Sequence, residues 1–275
     1  MTIKKFSSFL FSTAFFLLLG LAQASDEAFP HRAKFKDVPI MELNQLRQQL
    51  EQVTVIDVRS RYEYDTLHIV GALHIPLSKE KLPAAARELR SKSPKTIVFY
   101  CNGHSCKKSY EAAELAMKAG VTKVYAYDAG IDTWIKHHPD QSVLLGRNPV
   151  QAGDFIPTET FKKHLIAAKE FDAIVEKGGA LVLDIRDLRQ RDVALFPMRE
   201  MRATLDETPK LLSAVMEAKR QKKTLYVYDK VGKQTRWFQY FLEQQGLKDY
   251  YFLDGGAEGY YEARFGKLNL PNPES

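Results

Sequence analysis

Short apolar segments alternate with amphipathic ones along most of this 275-residue chain. Thr96–Tyr100, for example, is a run of β-branched and aromatic residues whose length suits a buried strand. The segments between such runs place apolar residues at helical spacing. Strands separated by helices form a mostly parallel sheet that is covered on both faces. The pattern therefore predicts an α/β fold, with any functional site at the carboxyl edge of the strands.

The pattern predicts similar elements in the two halves of the chain. In the first half, helices are predicted near residues 41–52, 78–91 and 107–119, and strands at residues 53–58, 73–75, 96–100 and 123–127. In the second half, helices are predicted near residues 158–177, 207–220 and 235–245, and strands at residues 180–185, 224–228 and 249–253.

Three blocks of the first half recur in the same order in the second half. Residues 55–59 (VIDVR) recur as 182–186 (VLDIR), residues 96–100 (TIVFY) as 224–228 (TLYVY), and residues 123–130 (KVYAYDAG) as 249–256 (DYYFLDGG). Coincidence would not preserve this order and spacing, so one structural unit is used twice. We predict one domain at residues 25–145 and another at residues 146–275, with the linker inside residues 139–154, where glycine and proline interrupt the periodicity.

The first 24 residues have the pattern of an export signal. Lys4 and Lys5 precede an apolar run at residues 9–21, and Ala22-Gln23-Ala24 supplies the small-x-small pattern of a cleavage site. An uncleaved anchor is the alternative, but the run is short for a membrane span, which needs about 20 apolar residues. We predict that residues 1–24 are a signal peptide and that the protein is exported to a bacterial periplasm, with no membrane contact after cleavage.

Charge and cysteine content narrow the function classes. The 40 basic and 34 acidic residues are interspersed and give a net charge of +6, which indicates ordinary solubility rather than nucleic-acid binding. The only two cysteines are Cys101 and Cys106, which lie in one short loop. A bridge between them would fasten nothing distant, so they are not a disulfide framework. In an oxidising compartment such a pair indicates redox or sulfur chemistry.

Cys101 is the candidate nucleophile. It stands between the end of an apolar strand and a helix predicted from about Lys107. Unpaired N–H groups and the positive end of the helix dipole lower the pKa of a thiol in such a place, and Lys107 and Lys108 add positive charge. The polar loop at residues 102–106 (NGHSC) offers the N–H donors, with Gly103 expected to adopt a positive φ. A buried structural cysteine is the alternative, and the polar surroundings disfavour it.

Several spaced motifs of the first half resemble the rhodanese superfamily. They are Asp57-Val58-Arg59, Tyr62-Glu63-Tyr64, residues 68–76 (HIVGALHIP), Cys101 after its strand, and Asp128-Ala129-Gly130 before Trp134. The resemblance covers most of residues 38–138 and is weaker over residues 155–265, where the counterpart of residues 68–76 is missing. The whole chain resembles a tandem rhodanese. This resemblance implies two domains, each with a mostly parallel five-stranded sheet and helices on both faces.

The resemblance implies sulfurtransferase chemistry. A Cys101 thiolate attacks the outer sulfur of thiosulfate or a similar small anionic donor, and a thiol or a cyanide-like acceptor then removes that sulfur from the persulfide. A periplasmic thiol protein is a candidate acceptor. The loop residues expected to bind the substrate are Asn102, Gly103, His104, Ser105, Cys106 and Lys107. No metal and no organic cofactor is required.

The active loop departs from the usual rhodanese pattern. Ser109 lies eight residues after Cys101 instead of six, a second cysteine is present, and the arginine near the end of the loop is missing. Lys107 or Lys108 is the candidate replacement, although lysine cannot bind an oxyanion bidentately. In the second domain Asp229 stands at the position of the nucleophile. A carboxylate forms no persulfide and repels anionic donors, so this domain is expected to be inactive.

Two other function classes stay open at the level of the sequence. In the first, Cys106 resolves a persulfide or a sulfenate on Cys101 as a disulfide, and the protein is a dithiol redox or sulfur-relay protein. The second class is an oxyanion phosphatase or arsenate reductase. It is disfavoured because a Cys-x5-Arg loop would need arginine where the chain has Lys107.

Other polar residues near the expected site have structural interpretations. Asp57 and Arg59 end a strand and are expected to form an ion pair or to tether the loop. His68 and His74 are expected to be hydrogen-bonded scaffold. His104 differs, because its place inside the loop makes it a candidate for stabilising the thiolate or the persulfide.

Overall fold

The computed structural model describes residues 29–151, 153–191 and 193–266, and the predicted signal peptide lies outside these residues. The described chain divides into two compact units. The first unit contains residues 29–59 and 69–138, and the second contains residues 60–68 together with the described residues from 139 to 266.

The first half of the chain has the predicted elements, with ends shifted by a few residues. In chain order they are α1 (Leu43–Gln49), β1 (Val53–Asp57), α2 (Arg61–Thr66), β2 (Leu67–Ile69), β3 (Leu73–His74), α3 (Leu82–Lys92), β4 (Thr96–Tyr100), α4 (Lys108–Lys118), β5 (Val124–Tyr127), α5 (Gly130–His137) and β6 (Ser142–Leu144). The elements α2, β2, α5 and β6 were not predicted.

Within the described residues, the second half repeats the order from α1 to α5 except for α2 and β2, and it begins with an additional helix and strand. Its elements are α6 (Thr158–Lys162), β7 (Leu165–Ile166), α7 (Ala168–Lys177), β8 (Leu181–Asp184), β9 (Glu200–Arg202), α8 (Thr208–Gln221), β10 (Leu225–Tyr228), α9 (Thr235–Gln244), β11 (Tyr250–Leu253) and α10 (Gly256–Phe265). The single helix predicted near residues 158–177 is wrong, because β7 divides it. Leu165 pairs with Phe252, whose N–H donates to the carbonyl of His164 at 2.7 Å. Two apolar residues fit a helix or a strand equally well, and here the neighbouring strand decides.

Both main sheets are built from parallel strand pairs. The first has the order β3-β1-β4-β5, and the second has the order β7-β11-β10-β8-β9. The α/β prediction is therefore confirmed. The prediction of five strands is correct for the second sheet and wrong for the first, which has four.

The missing strand of the first sheet is reduced to a single bridge. Ile40 pairs with Ala126, whose N–H donates to the carbonyl of Pro39 and whose carbonyl accepts from Met41, both at 2.9 Å. The next hydrogen bond along this ladder would have to be donated by residue 39. Proline has no backbone N–H, so the ladder stops there.

The first sheet brings the candidate residues to one edge. The side chains of β4 from Ile97 to Tyr100 are at most 2% exposed, so this strand is a fixed, buried support. Because β1, β4 and β5 run parallel, the chain leaves all three at the same edge, at Asp57, Cys101 and Asp128. No helix within the described residues is long and apolar enough to cross a bilayer.

Candidate active site

Cys101 lies where the sequence predicts the nucleophile. It follows β4 directly, its side chain is fully buried, and α4 begins at Lys108. Its Sγ lies 3.8 Å from the hydroxyl oxygen of Ser109, in the first turn of α4, and 3.4 Å from the carbonyl oxygen of Cys106. The sulfur is therefore held between the sheet edge and the start of the helix.

The two cysteines form a pair. Cys101 and Cys106 are joined as a disulfide, and their Cα atoms are 6.5 Å apart. This separation lies within the range of about 4.4–6.8 Å that disulfides require. Cys106 is partly exposed, whereas Cys101 is not exposed at all. The second cysteine therefore faces Cys101.

The connection from β5 into the first turn of α5, residues 128–132, supports the loop, and we call it the supporting turn. The N–H groups of Ile131 and Asp132 donate to the carbonyls of Cys101 at 3.0 Å and Asn102 at 3.1 Å. Gly130 adopts a φ of +65°, and a Cβ there would come within 2.5 Å of the backbone nitrogen of Gly103. Only glycine therefore permits this approach.

The expectation of a positive φ at Gly103 is wrong. The positive φ belongs to Gly130, on the other side of the contact. Gly103 instead provides space, because a Cβ there would lie 3.3 Å from the carbonyl oxygen of Ala129. The left-handed backbone conformation is therefore adopted in the turn at Gly130, and the loop does not need it at Gly103.

A buried ion pair tethers the loop from the side. Asp57 and Arg59 are both fully buried, and the Nη2 of Arg59 lies 2.7 Å from the carboxylate. The Nη1 of Arg59 donates to the side-chain oxygen of Asn102 at 3.2 Å. The predicted tether is thus confirmed. His68 and His74 are also scaffold, since they contact the carbonyls of Tyr64 and Arg59 at 2.6 and 3.0 Å.

Residues 29–35, which we call the N-terminal strap, contact the outer side of the loop. The Nε2 of His31 lies 3.1 Å from the carbonyl oxygen of Ser105, and the ring of Phe29 meets His104 edge-on at 4.6 Å. Arg32 binds both oxygens of the buried Asp128, at 2.7 and 3.1 Å. This hydrogen-bonded pairing raises the pKa of Arg32 above its usual range. The strap is not predictable from the sequence pattern, because residues 29–35 have neither helical nor strand periodicity.

The remaining predicted binding residues surround the cysteine pair. The N–H of Cys106 donates to the carbonyl of Gly103 at 2.8 Å, which closes a turn. His104 and Ser105 are exposed. Lys107 is 55% exposed and pairs with Glu111 at 2.9 Å, so part of its charge is already balanced. The binding of substrate by these residues stays a prediction.

The second unit has an equivalent supporting turn, but the loop above it contains Asp229 in place of a cysteine. The N–H groups of Ala257 and Glu258 donate to the carbonyls of Asp229 at 2.8 Å and Lys230 at 2.9 Å. The carboxylate of Asp229 is buried and accepts N–H bonds from Gly232 and, at 2.5 Å, from Gln234. Burial raises the pKa of this carboxyl, while the N–H donors act in the opposite direction. The loop thus holds an anion that belongs to the chain.

The family comparison agrees with this repeated geometry. The description "rhodanese-like domain" matches residues 42–137 and, again, residues 167–263. The chain belongs to the rhodanese-like family. It is a tandem rhodanese, and rhodaneses are a family of sulfurtransferases. Each matched range contains one of the loops described above; the first contains its whole sheet, and the second contains its sheet except for β7.

Individual relatives share shorter or more distant similarity. A tRNA uridine(34) hydroxylase from Salmonella arizonae is 34% identical over 99 residues, which are 34% of this chain and 27% of the relative. The chain thus spans about a quarter of the length of the curated relatives it matches.

Two solved structures also match parts of this chain. A thiosulfate sulfurtransferase from Pseudomonas aeruginosa is 18% identical, with a TM-score of 0.37 over 86% of this chain and 44% of that chain. A rhodanese-like domain from Anabaena is 28% identical, with a TM-score of 0.34 over 43% of this chain and 89% of that one.

Proposed function

We propose that this protein is a periplasmic sulfurtransferase whose first domain carries the transferred sulfur on Cys101. The donor is thiosulfate or a similar small anion with a sulfane sulfur. The thiolate of Cys101 attacks the outer sulfur, the donor leaves, and a thiol or cyanide-like acceptor removes the sulfur from the persulfide. A periplasmic thiol protein is one such acceptor.

The observation that carries the proposal is the position of Cys101 between β4 and α4. Its Sγ faces Ser109 in the first turn of the helix, where the helix dipole favours the thiolate over the thiol. The loop is supported by backbone bonds from α5 and by Arg59. A nucleophile fixed at a sheet edge in this way is ready for attack without rearrangement of the strands.

Transfer requires the loop in its reduced form. A sulfur in a disulfide has no thiolate and cannot attack a donor. The pair of Cys101 and Cys106 is therefore the oxidised form of the site, and sulfur transfer begins once a reductant has opened it.

The second domain is proposed to take no part in the chemistry. Asp229 replaces the nucleophile, and its carboxylate already occupies the N–H groups of Gly232 and Gln234. An external anion would have to displace a charge that is covalently part of the loop.

Export is supported by the pattern of residues 1–24.

Mass spectrometry of the reduced full chain tests the assignment of Cys101. After thiosulfate treatment, the Cys106→Ser variant should gain about 32 Da, the mass of one sulfur atom held as a persulfide. The double variant Cys101→Ser, Cys106→Ser should gain nothing and should not form thiocyanate when cyanide is added. Sulfur uptake by the double variant would show that Cys101 is not the carrier.

The dithiol alternative also has a specific observation in its favour. The two cysteines are paired, so Cys106 is placed to act on whatever Cys101 carries. This alternative shares its first step with the sulfurtransferase reaction, and it differs in the fate of the bound sulfur.

A further inference from the structure

The placement of Cys106 decides which atom of a persulfide it can reach. The sulfur atoms of Cys106 and Cys101 are bonded to each other, with the Cα atoms 6.5 Å apart. In a persulfide, the Sγ of Cys101 is the inner sulfur. Cys106 is therefore positioned against the inner sulfur, and attack there gives the disulfide that the structure contains.

One contact within the loop and two contacts with the N-terminal strap hold the segment around Cys106. The turn from Gly103 to Cys106 is closed by a 2.8 Å backbone hydrogen bond. Next to Cys106, the carbonyl of Ser105 meets the Nε2 of His31 at 3.1 Å, and the ring of His104 meets Phe29 at 4.6 Å. None of these contacts involves sulfur, so opening the disulfide does not by itself remove any of them.

We propose that Cys106 is a resolving cysteine that converts the Cys101 persulfide into sulfide, so that the protein consumes an external dithiol and releases hydrogen sulfide. The proposal rests on the proposed function, because it needs the persulfide on Cys101. The thiolate of Cys106 attacks the inner sulfur, and a bond forms between the sulfurs of the two cysteines. The bond between the inner and outer sulfur breaks, and its electron pair leaves with the outer sulfur as HS⁻.

The electrons of this step balance within the loop. The outer sulfur is reduced to sulfide, and the two cysteine sulfurs are oxidised to the disulfide. A dithiol reductant, such as a protein with two neighbouring cysteines, then supplies two electrons and two protons and becomes a disulfide itself. Both thiols of the loop are restored, and the cycle can repeat with another donor.

The exposure of the two sulfurs gives the reductant a direction of attack. Cys101 is fully buried, whereas Cys106 is partly exposed. Thiol–disulfide exchange depends on access to the attacked sulfur, so the external thiol should form its mixed disulfide with Cys106. The leaving group is then the Cys101 thiolate, which is the nucleophile needed for the next donor.

A single-turnover experiment on the full chain separates resolution from simple transfer. Reduced wild type, freed of reductant, is mixed with thiosulfate, and sulfide and intact mass are measured. We expect about one sulfide per chain and a chain about 2 Da lighter than the reduced protein, as a disulfide requires. In Cys106→Ser the persulfide should persist, with sulfide appearing only after a thiol is added. Cys106→Ala provides a second variant if the serine protein folds poorly.

The possible outcomes separate the inference from the proposed function. If Cys106→Ser takes up sulfur while the wild type keeps its persulfide and releases no sulfide, the resolving role is wrong and the transferase proposal stands. A persulfide mapped to Cys106 would equally refute attack on the inner sulfur. If neither variant of Cys106 takes up sulfur from thiosulfate or from polysulfide, the proposed function fails and this inference fails with it.

Discussion

Gly130 offers a direct test of how the supporting turn positions the active loop. Its φ is +65°, and a Cβ on it would lie 2.5 Å from the nitrogen of Gly103 and 2.6 Å from the carbonyl carbon of Asn102. These neighbours are backbone atoms and cannot rotate away as a side chain would. Gly130→Ala must therefore either displace the loop or force the turn apart.

The expected cost has two parts. A non-glycine residue in the left-handed region costs about 1–2 kcal/mol, and inserting a methyl group into a packed contact costs about 1–3 kcal/mol. Together they lower the free energy of unfolding by about 2–5 kcal/mol. A loop displaced by about 1 Å should also lose about 100-fold in sulfur transfer, because reaction rates are sensitive to such misplacement.

Two other glycines provide matched controls. Gly120 has a φ of +83° and open space around its Cβ position, so Gly120→Ala should cost only the conformational part. Gly256 in the second unit has a φ of +61°, and its Cβ would come within 2.6 Å of Gly232. Gly256→Ala should therefore destabilise the protein and leave sulfur transfer nearly unchanged.

Denaturant unfolding and thiocyanate formation measure the two effects. Stability is compared among the three alanine variants, and transfer is compared under conditions in which each variant is folded. If Gly130→Ala were no less stable than Gly120→Ala and as active as the wild type, the close contact between the turn and the loop would be wrong.

Two further predictions concern the anion of the second loop and the N-terminal strap. Asp229→Ala should leave turnover within a few-fold of the wild type. It should lower the free energy of unfolding by about 1–3 kcal/mol in denaturant unfolding, because buried N–H groups lose their acceptor. Loss of transfer in the folded variant would contradict the inactive second domain. Arg32→Ala should lower the free energy of unfolding by about 1–3 kcal/mol, because the buried carboxylate of Asp128 loses a positively charged partner. This figure is smaller than that for a fully buried pair, because the Arg32 side chain is 23% exposed. Lys92→Ala, which removes an exposed pair with Glu88, should cost clearly less than Arg32→Ala, and an equal loss in both variants would refute the role of the strap.

The sequence predicts the sheets well where repetition and composition agree. The blocks at residues 55–59 and 182–186 become β1 and β8, and each pairs in parallel with the strand that ends at a candidate loop, β4 or β10. These strands are buried on both faces, so their apolar runs are unambiguous. The short edge elements were less predictable. Ile40 pairs with β5 as β7 pairs with β11 in the second sheet. Pro39 has no N–H to continue the ladder, so Ile40 forms a bridge instead of a strand.

At the site, the sequence identifies the residues that lie on the loop and the tether formed by Asp57 and Arg59, but it misses the other residues that support the loop. Cys101 and Asp229 are recognisable because each directly follows an apolar strand at the same place in the repeat. The strap contacts of His31 and Arg32 join residues far apart in the chain, with 74 and 96 positions between the partners. No local pattern encodes such contacts. The positive φ falls on Gly130 and not on Gly103, because it is set by the packing of the turn against the loop, which the loop sequence alone does not show.

The two loops show how one scaffold is used for different ends. Each is fastened by two backbone bonds from the turn that follows the next strand, and each leads to a fully buried hydroxyl residue, Ser109 or Thr235, in the first turn of a helix. The second loop is two residues shorter between its first residue and this hydroxyl residue. Its N–H groups donate to the carboxylate of its own Asp229.

The first loop is two residues longer and holds Cys106 against Cys101, and the contacts of the strap fall on the neighbouring residues, His104 and Ser105. A longer loop has more conformations to lose, and the strap restricts them from outside. If Cys106 resolves the persulfide, the strap must matter more for sulfide release than for uptake of sulfur by Cys101. The reason is that Cys101 is held by β4 and the turn beneath it, whereas the approach of Cys106 depends on the part of the loop that the strap contacts.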